Sequence, residues 1–496
     1  EGPPKQYRLL TTKSNLDEKG SVRKWIFGQR KNNIYNKILL MVGETGTGKT
    51  TLINAMVNYI LGVKFTDEVW FEITEEGEKS DQSKSQTSEI TMYEVFAQDN
   101  PISLTVIDTP GYGDTRGTDL DKKIAENLHK LFRSDSGVKE IDAVCLVVKA
   151  SENRLSDRQQ YIFDAVLSLF GKDIKDNIVI FVTYSDGMPP TNVINAVKRA
   201  GIPCRKDREN EPECFLFNNR QTEKRNKKYI RPLQSVWEQT EDSLNNFFDS
   251  LKIQNRKSLE QTTGVLSESK QLEACIENLK FRIDYVESKS KELDQIQKAL
   301  QENREKIRKN ENFTFTVTEH YKVKVPIKNA SLKDRKATTC SVCEENCHEY
   351  GCWLAPNPQK CEVMKNGYCT SCTGKCCYSK HVKENKKYVT HSKVVTKTYE
   401  AIKQQYESSK KQEGENLSIE NRLKNELRKN DKEKSDLVEE AYRSIMKLYK
   451  IALKPDSAFI VQCLDFLIPR AKEIGKHDYA RELGDLRKMK PESQER

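Results

Sequence analysis

The sequence feature that most constrains the fold is a glycine-rich turn between an apolar segment and a helical one. Residues 38–42 read Ile-Leu-Leu-Met-Val, and Gly43-Glu-Thr-Gly-Thr-Gly48-Lys49-Thr50 follows, which fits the phosphate-loop pattern GxxxxGK[ST]. In this pattern backbone N–H groups curl around a β-phosphate, the lysine reaches the β- and γ-phosphates, and the threonine binds Mg²⁺. The alternative is an ordinary glycine-rich turn. The predicted nucleotide-contacting residues of the loop are Gly43, Glu44, Thr45, Gly46, Thr47, Gly48, Lys49, Thr50 and Thr51.

A second segment supplies a carboxylate for the same site. The apolar run 103–107 leads into Asp108-Thr-Pro-Gly111, a DxxG pattern. We expect Asp108 to hold Mg²⁺ through water and the Gly111 N–H to sense the γ-phosphate. In the polar stretch between the two motifs, Thr87 is the residue predicted to complete the Mg²⁺ shell, with Thr91 as the alternative. Lys49, Thr87 and Gly111 are therefore the candidate catalytic residues.

A third segment bears on the choice of base. The apolar run 178–182 is followed by Thr183-Tyr184-Ser185-Asp186. The Asp186 carboxylate can accept hydrogen bonds from guanine N1–H and the 2-amino group, which adenine does not offer. Tyr184 could stack on the purine or pack at the strand end. We therefore predict guanine selection, with Thr183 and Asp186 at the base.

These motifs lie in a region where strand-like and helix-like segments alternate. Strand patterns at 38–42, 103–107, 143–148, 178–182 and 214–217 are separated by helical patterns, among them 156–170 and 191–200. Such alternation predicts an α/β domain with a doubly wound, mostly parallel sheet.

The motifs resemble those of known GTPase families of the TRAFAC class. GETGTGKTTLIN and IDTPGYGDTRG are similar to septin motifs, while TYSD and FNNR are similar to those of immunity-associated GTPases and chloroplast import receptors. The resemblance covers about residues 36–220, and the chain also resembles large uncharacterised G-domain proteins with helical C-terminal regions. It implies a P-loop GTPase that binds GTP or GDP with Mg²⁺ through Thr50, Thr87 and Asp108. It further implies that Asn218 and Asn219 contact the base.

The residue after DxxG bears on turnover and assembly. Ras-like enzymes carry a water-orienting glutamine there, whereas this chain has Tyr112, so we expect slow GTP hydrolysis. Related GTPases with an apolar residue at this position pair their G domains, which predicts a GTP-dependent homodimer. Asp114 and Arg116 are candidate contacts across it, although a surface role is the favoured interpretation for Arg116.

The second half has a different character. Apolar residues from Leu272 to Ile307 recur in heptad steps, and a second charged helical pattern spans 399–453. We predict an imperfect coiled coil, open to a coiled-coil protein partner. Strand patterns at 313–317, 321–327 and 388–398 predict a small sheet, and the apolar run 459–467 predicts a C-terminal helix.

Nine of the fourteen cysteines lie between Cys340 and Cys377. The spacing Cys340-x2-Cys343-x4-His348-x3-Cys352 recurs as Cys369-x2-Cys372-x4-Cys377-x3-His381, which suits two structural Zn²⁺ ions. Cys347 and Cys376 could replace His348 or Cys377, and Cys361 is unassigned. The alternative is a disulfide-bonded or cysteine-rich loop.

The predicted organisation is therefore an N-terminal segment (1–35), a G domain (36–232), a coiled-coil helix (233–311), a small β and zinc module (312–398), a second coiled-coil helix (399–453) and a C-terminal helical segment (454–496). A net charge of +10 spread over 84 basic and 74 acidic residues does not call for nucleic acid. A zinc-knuckle RNA-binding protein with an accessory nucleotide domain is the second hypothesis, and an ATPase is the third. No apolar stretch spans a bilayer and no signal segment is visible, so we expect a cytoplasmic protein.

Overall fold

The structure is a computed structural model of the 496-residue chain. It describes residues 2–16, 20–30, 34–74, 89–97, 100–109, 127–128, 130–132, 134, 136–251, 256–309, 311–327, 336–349, 355–408, 418–451, 453 and 457–488. Residues 1–266 with 451–457 form one compact unit, and residues 267–450 with 458–490 form another.

The first unit contains the predicted α/β domain. Its strands are β1 (Lys5–Arg8), β2 (Thr12–Asn15), β3 (Val22–Phe27), β4 (Tyr35–Gly43), β5 (Val69–Glu72), β6 (Ile90–Val95), β7 (Ile102–Asp108), β8 (Glu140–Ile141), β9 (Ala143–Lys149), β10 (Ile178–Thr183), β11 (Cys214–Leu216) and β12 (Lys257–Ser258). Its helices are α1 (Lys49–Ile60), α2 (Asp157–Leu167), α3 (Thr191–Arg199) and α4 (Ile230–Ser250).

Eight of the twelve described strands of this unit build one large mixed sheet, whereas β1 pairs with β5 and β8 with β12 in two-stranded sheets. The order of the large sheet is β11-β10-β9-β4-β7-β6-β3-β2, and the run from β11 to β7 is parallel throughout. β6 is antiparallel to β7, β3 is parallel to β6, and β2 is antiparallel to β3. The central strands are almost wholly apolar and buried, as strands covered on both faces must be.

Alternate residues of the central strands enter two different cores. Leu40 and Val42 pack with the side chains of α2 and α3 on one face. Leu39 and Met41 pack with α1 and α4 on the other. The start of α2 is fixed by a capping box, in which Ser156 Oγ accepts from the Gln159 N–H and the Gln159 side chain accepts from the Ser156 N–H. A doubly wound sheet with a phosphate loop at its centre is therefore confirmed.

This packing unit extends beyond the predicted range 36–232 on both sides. β2 and β3 add to the sheet edge, although the sequence analysis assigned them to a separate N-terminal segment. α4 falls within the predicted coiled-coil range 233–311, yet Leu244, Phe247 and Phe248 are buried against the sheet. The apolar face of α4 is buried against the α/β core, so this helix is part of that domain.

The second unit is helical, with a small β module inserted. Its helices are α5 (Leu259–Glu302), which begins at the end of the first unit, α6 (Arg304–Arg308), α7 (Tyr399–Ser408), α8 (Ile419–Ile451), α9 (Ser457–Glu473) and α10 (His477–Lys488). Its strands are β13 (Thr314–Pro326), β14 (Ala337–Cys340), β15 (Glu345–His348), β16 (Met364–Lys365), β17 (Tyr368–Cys369), β18 (His381–Glu384) and β19 (Lys386–Thr398). The predicted strands 313–317 and 321–327 form the single strand β13, which pairs antiparallel with β19 along its whole length.

The heptad residues of α5 pack within the same chain. Ile276, Leu279 and Ile283 are buried against α8 and also against α9 and α10. The predicted C-terminal helix therefore docks in a helical bundle, where Leu464 and Leu467 are fully enclosed. A helical C-terminal region is confirmed, while a coiled coil with a partner stays a prediction. Within the described residues, no helix is both long enough and apolar enough to cross a membrane.

Candidate functional site

The phosphate loop joins the end of β4 to the start of α1. Gly46 and Gly48 have φ angles of 78° and 82°, in the left-handed region that favours glycine. Gly43 is required for another reason, because a Cβ there would lie 3.0 Å from the Val147 carbonyl oxygen and 2.9 Å from Thr47 Oγ1. The Thr47 hydroxyl donates to the Glu44 carbonyl at 2.8 Å and closes the turn. The loop thus leads directly into the N-terminus of α1, whose first N–H groups can face an anion.

A buried lysine and a half-buried aspartate contribute charge to this site. Lys49 is 7% exposed, and its Nζ donates to the Gly43 carbonyl at 3.3 Å. Burial lowers the pKa of Lys49, and the charge of Asp108 opposes that shift. Burial raises the pKa of Asp108 to about 6, against the opposing effect of Lys49.

The Asp108 carboxylate also fits a metal ion. Its Oδ1 is buried and has no hydrogen-bond partner. A buried carboxylate oxygen without a partner carries a desolvation cost. A bound cation would remove that cost, so the position suits Mg²⁺.

The segment predicted to select the base is attached to the same loop. Thr183 Oγ1, at the end of β10, donates to the Thr47 carbonyl at 2.6 Å. Tyr184 is 61% exposed with φ of 55°, and its ring Cε2 lies 3.6 Å from where a Cβ on Gly48 would be. Asp186 is exposed, and its Oδ1 accepts from the Met188 N–H at 3.0 Å, which orients the carboxylate.

The segment after β11 lies beside it. The Ser185 N–H donates to the Phe217 carbonyl at 3.0 Å, which brings Asn218 and Asn219 next to the turn that carries Asp186. Asn219 Oδ1 accepts from Gln221 Nε2 at 3.4 Å. The structure therefore places the loop, Asp108 and the residues predicted to select the base at the carboxyl ends of β4, β7, β10 and β11, where α/β sheets bind ligands.

Known proteins are similar in sequence to the segment that carries these motifs. Residues 37–264 match the model of the AIG1 family. This segment is an AIG1/septin-like P-loop GTPase domain. Over 168 residues the chain is 26% identical to Immune-associated nucleotide-binding protein 1 of Arabidopsis thaliana, which covers 33% of this chain and 64% of that protein. It is 28% identical to human Septin-4 over 141 residues, or 27% of this chain and 26% of that protein. The chain thus spans less than two thirds of the length of both relatives.

A solved structure of Toc33 from Arabidopsis thaliana, in complex with Mg²⁺ and GMPPNP, covers 43% of this chain and 87% of its own at 17% identity. The TM-score is 0.28, which carries no structural argument. The resemblance to immunity-associated and septin GTPases is confirmed by the sequence matches.

Some predicted residues of the AIG1-type domain lie outside the described residues. These are Thr87 and Gly111, together with Tyr112, Asp114 and Arg116. Thr91, the alternative to Thr87, lies within β6 opposite Asp108 and is 6% exposed, so it belongs to the sheet.

The sequence analysis missed one cation at this site. Lys149 ends β9, and its Nζ lies 3.9 Å from where a Cβ on Gly46 would be. Its position at the carboxyl end of a central apolar strand is the signal that identifies it.

The cysteine-rich module presents a second candidate site. Two groups of side chains have their potential ligand atoms within 4.8 Å of one another. One contains Cys340, Cys343, Cys372 and Cys376, and the other contains Cys347, Cys369, Cys372 and His381. Both groups could hold a metal ion.

This corrects the predicted grouping, in which each run of sequence formed its own site. β14 pairs with β18 in a register that sets Cys340 opposite His381, so the two runs interleave. Cys347 and Cys376 take the places predicted for His348 and Cys377. His348 lies instead beside Cys361, with 3.5 Å between Nδ1 and Sγ. Cys352 lies outside the described residues.

Proposed function

We propose that the AIG1-type G domain binds GTP and GDP with Mg²⁺, hydrolyses GTP slowly and acts as a regulatory or scaffold GTPase. The observation that carries the proposal is that buried Lys49 donates to the Gly43 carbonyl of the loop and interacts electrostatically with Asp108, whose buried Oδ1 has no hydrogen-bond partner. Both charges are costly to bury unless a polyphosphate and a cation complete the site. In this proposal Thr50, Thr87 and Asp108 hold Mg²⁺, Gly111 senses the γ-phosphate, and Asp186 with Asn218 or Asn219 selects guanine.

The proposed role of Mg²⁺ is to neutralise charge on the β- and γ-phosphates. The chain's own contribution is positional. Backbone N–H groups of the loop and of the α1 N-terminus orient the phosphates, and Lys49 adds a fixed positive charge. Lys149, whose Nζ lies near Gly46 of the loop, adds a second cation near the same phosphates in this proposal.

Slow turnover and nucleotide-dependent pairing of G domains form one proposal. Tyr112 stands where a glutamine would orient water, so an isolated domain lacks that group. A second copy can supply what is missing, which makes the hydrolysis rate depend on protein concentration.

Two measurements on the same samples test this proposal. Light scattering with GTPγS and Mg²⁺ is expected to give twice the mass found with GDP. The single-turnover rate per chain is expected to rise with protein concentration and then level off. A constant mass with a concentration-independent rate would contradict dimerisation and leave the nucleotide site intact.

We infer in addition that the cysteine-rich module holds two structural zinc ions. The support is the presence of two groups of thiols, closely spaced and partly buried, in a small β module. Metal ligation can stabilise such a segment, because it replaces the apolar core that so few residues can build. Elemental analysis of protein purified from zinc-containing medium is expected to give about two zinc ions per chain, and an absence of zinc would contradict the inference.

A further inference from the structure

The two thiol groups are not independent of each other. Cys372 belongs to both. Building on the zinc proposal above, we propose that the module binds its two zinc ions as one dinuclear centre in which the Cys372 thiolate bridges them. Cys340, Cys343 and Cys376 complete one ion, and Cys347, Cys369 and His381 complete the other.

The number of ligands supports a bridge. Two separate tetrahedral ions need eight ligand atoms. The two groups together contain seven different residues, because four plus four counts Cys372 twice. Sharing the Cys372 sulfur gives both ions four ligands without recruiting any further side chain. Cys372 is fully buried, as a central bridging ligand should be.

The spacing of the sulfurs supports tetrahedral coordination. Cys343 Sγ and Cys376 Sγ lie 3.7 Å apart. With Zn–S bonds of about 2.3 Å, two sulfurs on one tetrahedral ion are separated by about 3.8 Å. Gly374 keeps this region open, since a Cβ there would lie 3.0 Å from Cys376 Sγ and 3.3 Å from Cys343 Sγ.

His381 gives an observation independent of the cysteines. The residue is 5% exposed, and its Nδ1 donates to the Cys377 carbonyl at 3.0 Å. That hydrogen bond places the proton on Nδ1 and leaves the Nε2 lone pair free. Nε2 is buried and has no hydrogen-bond partner. An imidazole held at one nitrogen by a backbone carbonyl, with the other nitrogen facing thiols, is arranged as a zinc ligand.

Backbone donors surround the sulfurs. The Cys343 N–H points to Cys340 Sγ at 3.4 Å, the Gly374 N–H to Cys343 Sγ at 3.3 Å, and the Cys376 N–H to Cys372 Sγ at 3.3 Å. Six thiolates and a neutral imidazole around two Zn²⁺ ions carry a net charge of −2, which these N–H groups offset. Binding both ions to six protonated thiols and a neutral imidazole would release six protons, one from each thiol, so the affinity should fall at low pH.

The test uses the full chain, purified with zinc. X-ray absorption at the zinc edge is expected to show mostly sulfur neighbours with a minor nitrogen component, and a zinc–zinc scattering path that only a bridged pair produces. Two zinc ions without that path would overturn the bridge while leaving the zinc proposal standing. A chain without zinc would overturn both.

The zinc content of cysteine variants gives a second, independent test of the bridge. Cys372→Ser is expected to lose both ions, because it removes a ligand from each. Cys376→Ser is expected to keep one zinc ion. The matched control Cys377→Ser is expected to keep both zinc ions, since the Cys377 thiol belongs to neither group. A Cys372→Ser chain that retains one zinc ion would contradict the bridge. If that variant fails to fold, the zinc–zinc path in the unmodified protein decides.

Discussion

Replacement of Asp186 by asparagine tests whether this side chain selects guanine. Guanine presents two donors to this residue, N1–H and the 2-amino group, and a carboxylate accepts both. In the structure Asp186 Oδ1 already accepts from the Met188 N–H. Asparagine can keep that contact through its oxygen, but it then directs an NH₂ donor toward the guanine donors. Xanthine carries an oxygen at C2, so the variant should gain affinity for xanthosine triphosphate.

The expected size follows from those contacts. The substitution removes one hydrogen bond to a charged acceptor, worth about 1.5–3 kcal/mol, and leaves a base donor facing another donor. We expect a loss of about 2–4 kcal/mol for GTP, or roughly 30- to 700-fold in affinity. Because Asp186 is exposed in the free protein, its removal should leave the fold and thermal stability unchanged.

The affinities of Asp186→Asn and of the unmodified protein are measured by titration with GTPγS, xanthosine triphosphate and adenosine triphosphate. The matched control is Asp176→Asn, which changes an exposed aspartate on the short 3-10 helix before β10 and should bind as the unmodified protein does. Equal GTPγS affinity in Asp186→Asn and in the control would refute the assignment of Asp186 to the base.

Three further predictions follow from single side chains. Burial raises the pKa of Asp108 to about 6, so the free protein loses stability as the pH rises from about 4 to about 6 and keeps that loss above pH 6. Without nucleotide, Asp108→Asn should therefore melt at a higher temperature than the unmodified protein at pH 7.5 and at nearly the same temperature at pH 4. The variant should also lose Mg²⁺-dependent nucleotide binding. An unchanged melting temperature at pH 7.5 would count against the buried charge. Gly43→Ala should abolish nucleotide binding in titrations because its Cβ meets the Val147 carbonyl, whereas Gly264→Ala, in an open helical position, should bind normally. Leu464→Ala should lower the free energy of unfolding by about 2–5 kcal/mol in urea, and exposed Gln462→Ala should not; equal effects would mean that the C-terminal helix does not dock in the bundle.

The local motifs could be predicted from the sequence because their geometry depends on neighbouring residues. The apolar run before Gly43 and the helix after Lys49 are both short-range patterns, and the structure contains the strand, turn and helix that they predict. The central strands were equally clear, since strands buried on both faces are continuous apolar runs.

Contacts between residues far apart in the sequence could not be predicted from it. The 29-residue repeat of cysteine spacing predicted two successive sites, but the pairing of β14 with β18 interleaves the runs. The polar segment Thr12–Asn15 carries little apolar pattern, and it becomes a strand only because β3 offers it an edge. The charged helix α4 resembled a coiled-coil segment, and only its Phe247 and Phe248 contacts with the sheet assign it to the G domain. In each case the deciding contact lies far away along the chain.

The central claim is that the AIG1-type domain is a guanine-selective, Mg²⁺-dependent nucleotide site. Isothermal titration of the full chain with GTPγS, GDP and ATPγS, each in Mg²⁺ and again in EDTA, tests it most directly. The account predicts one site per chain for GTPγS and GDP, much weaker binding of ATPγS, and loss of GTPγS affinity in EDTA. Equal binding of ATPγS, or no binding of any nucleotide, would contradict it.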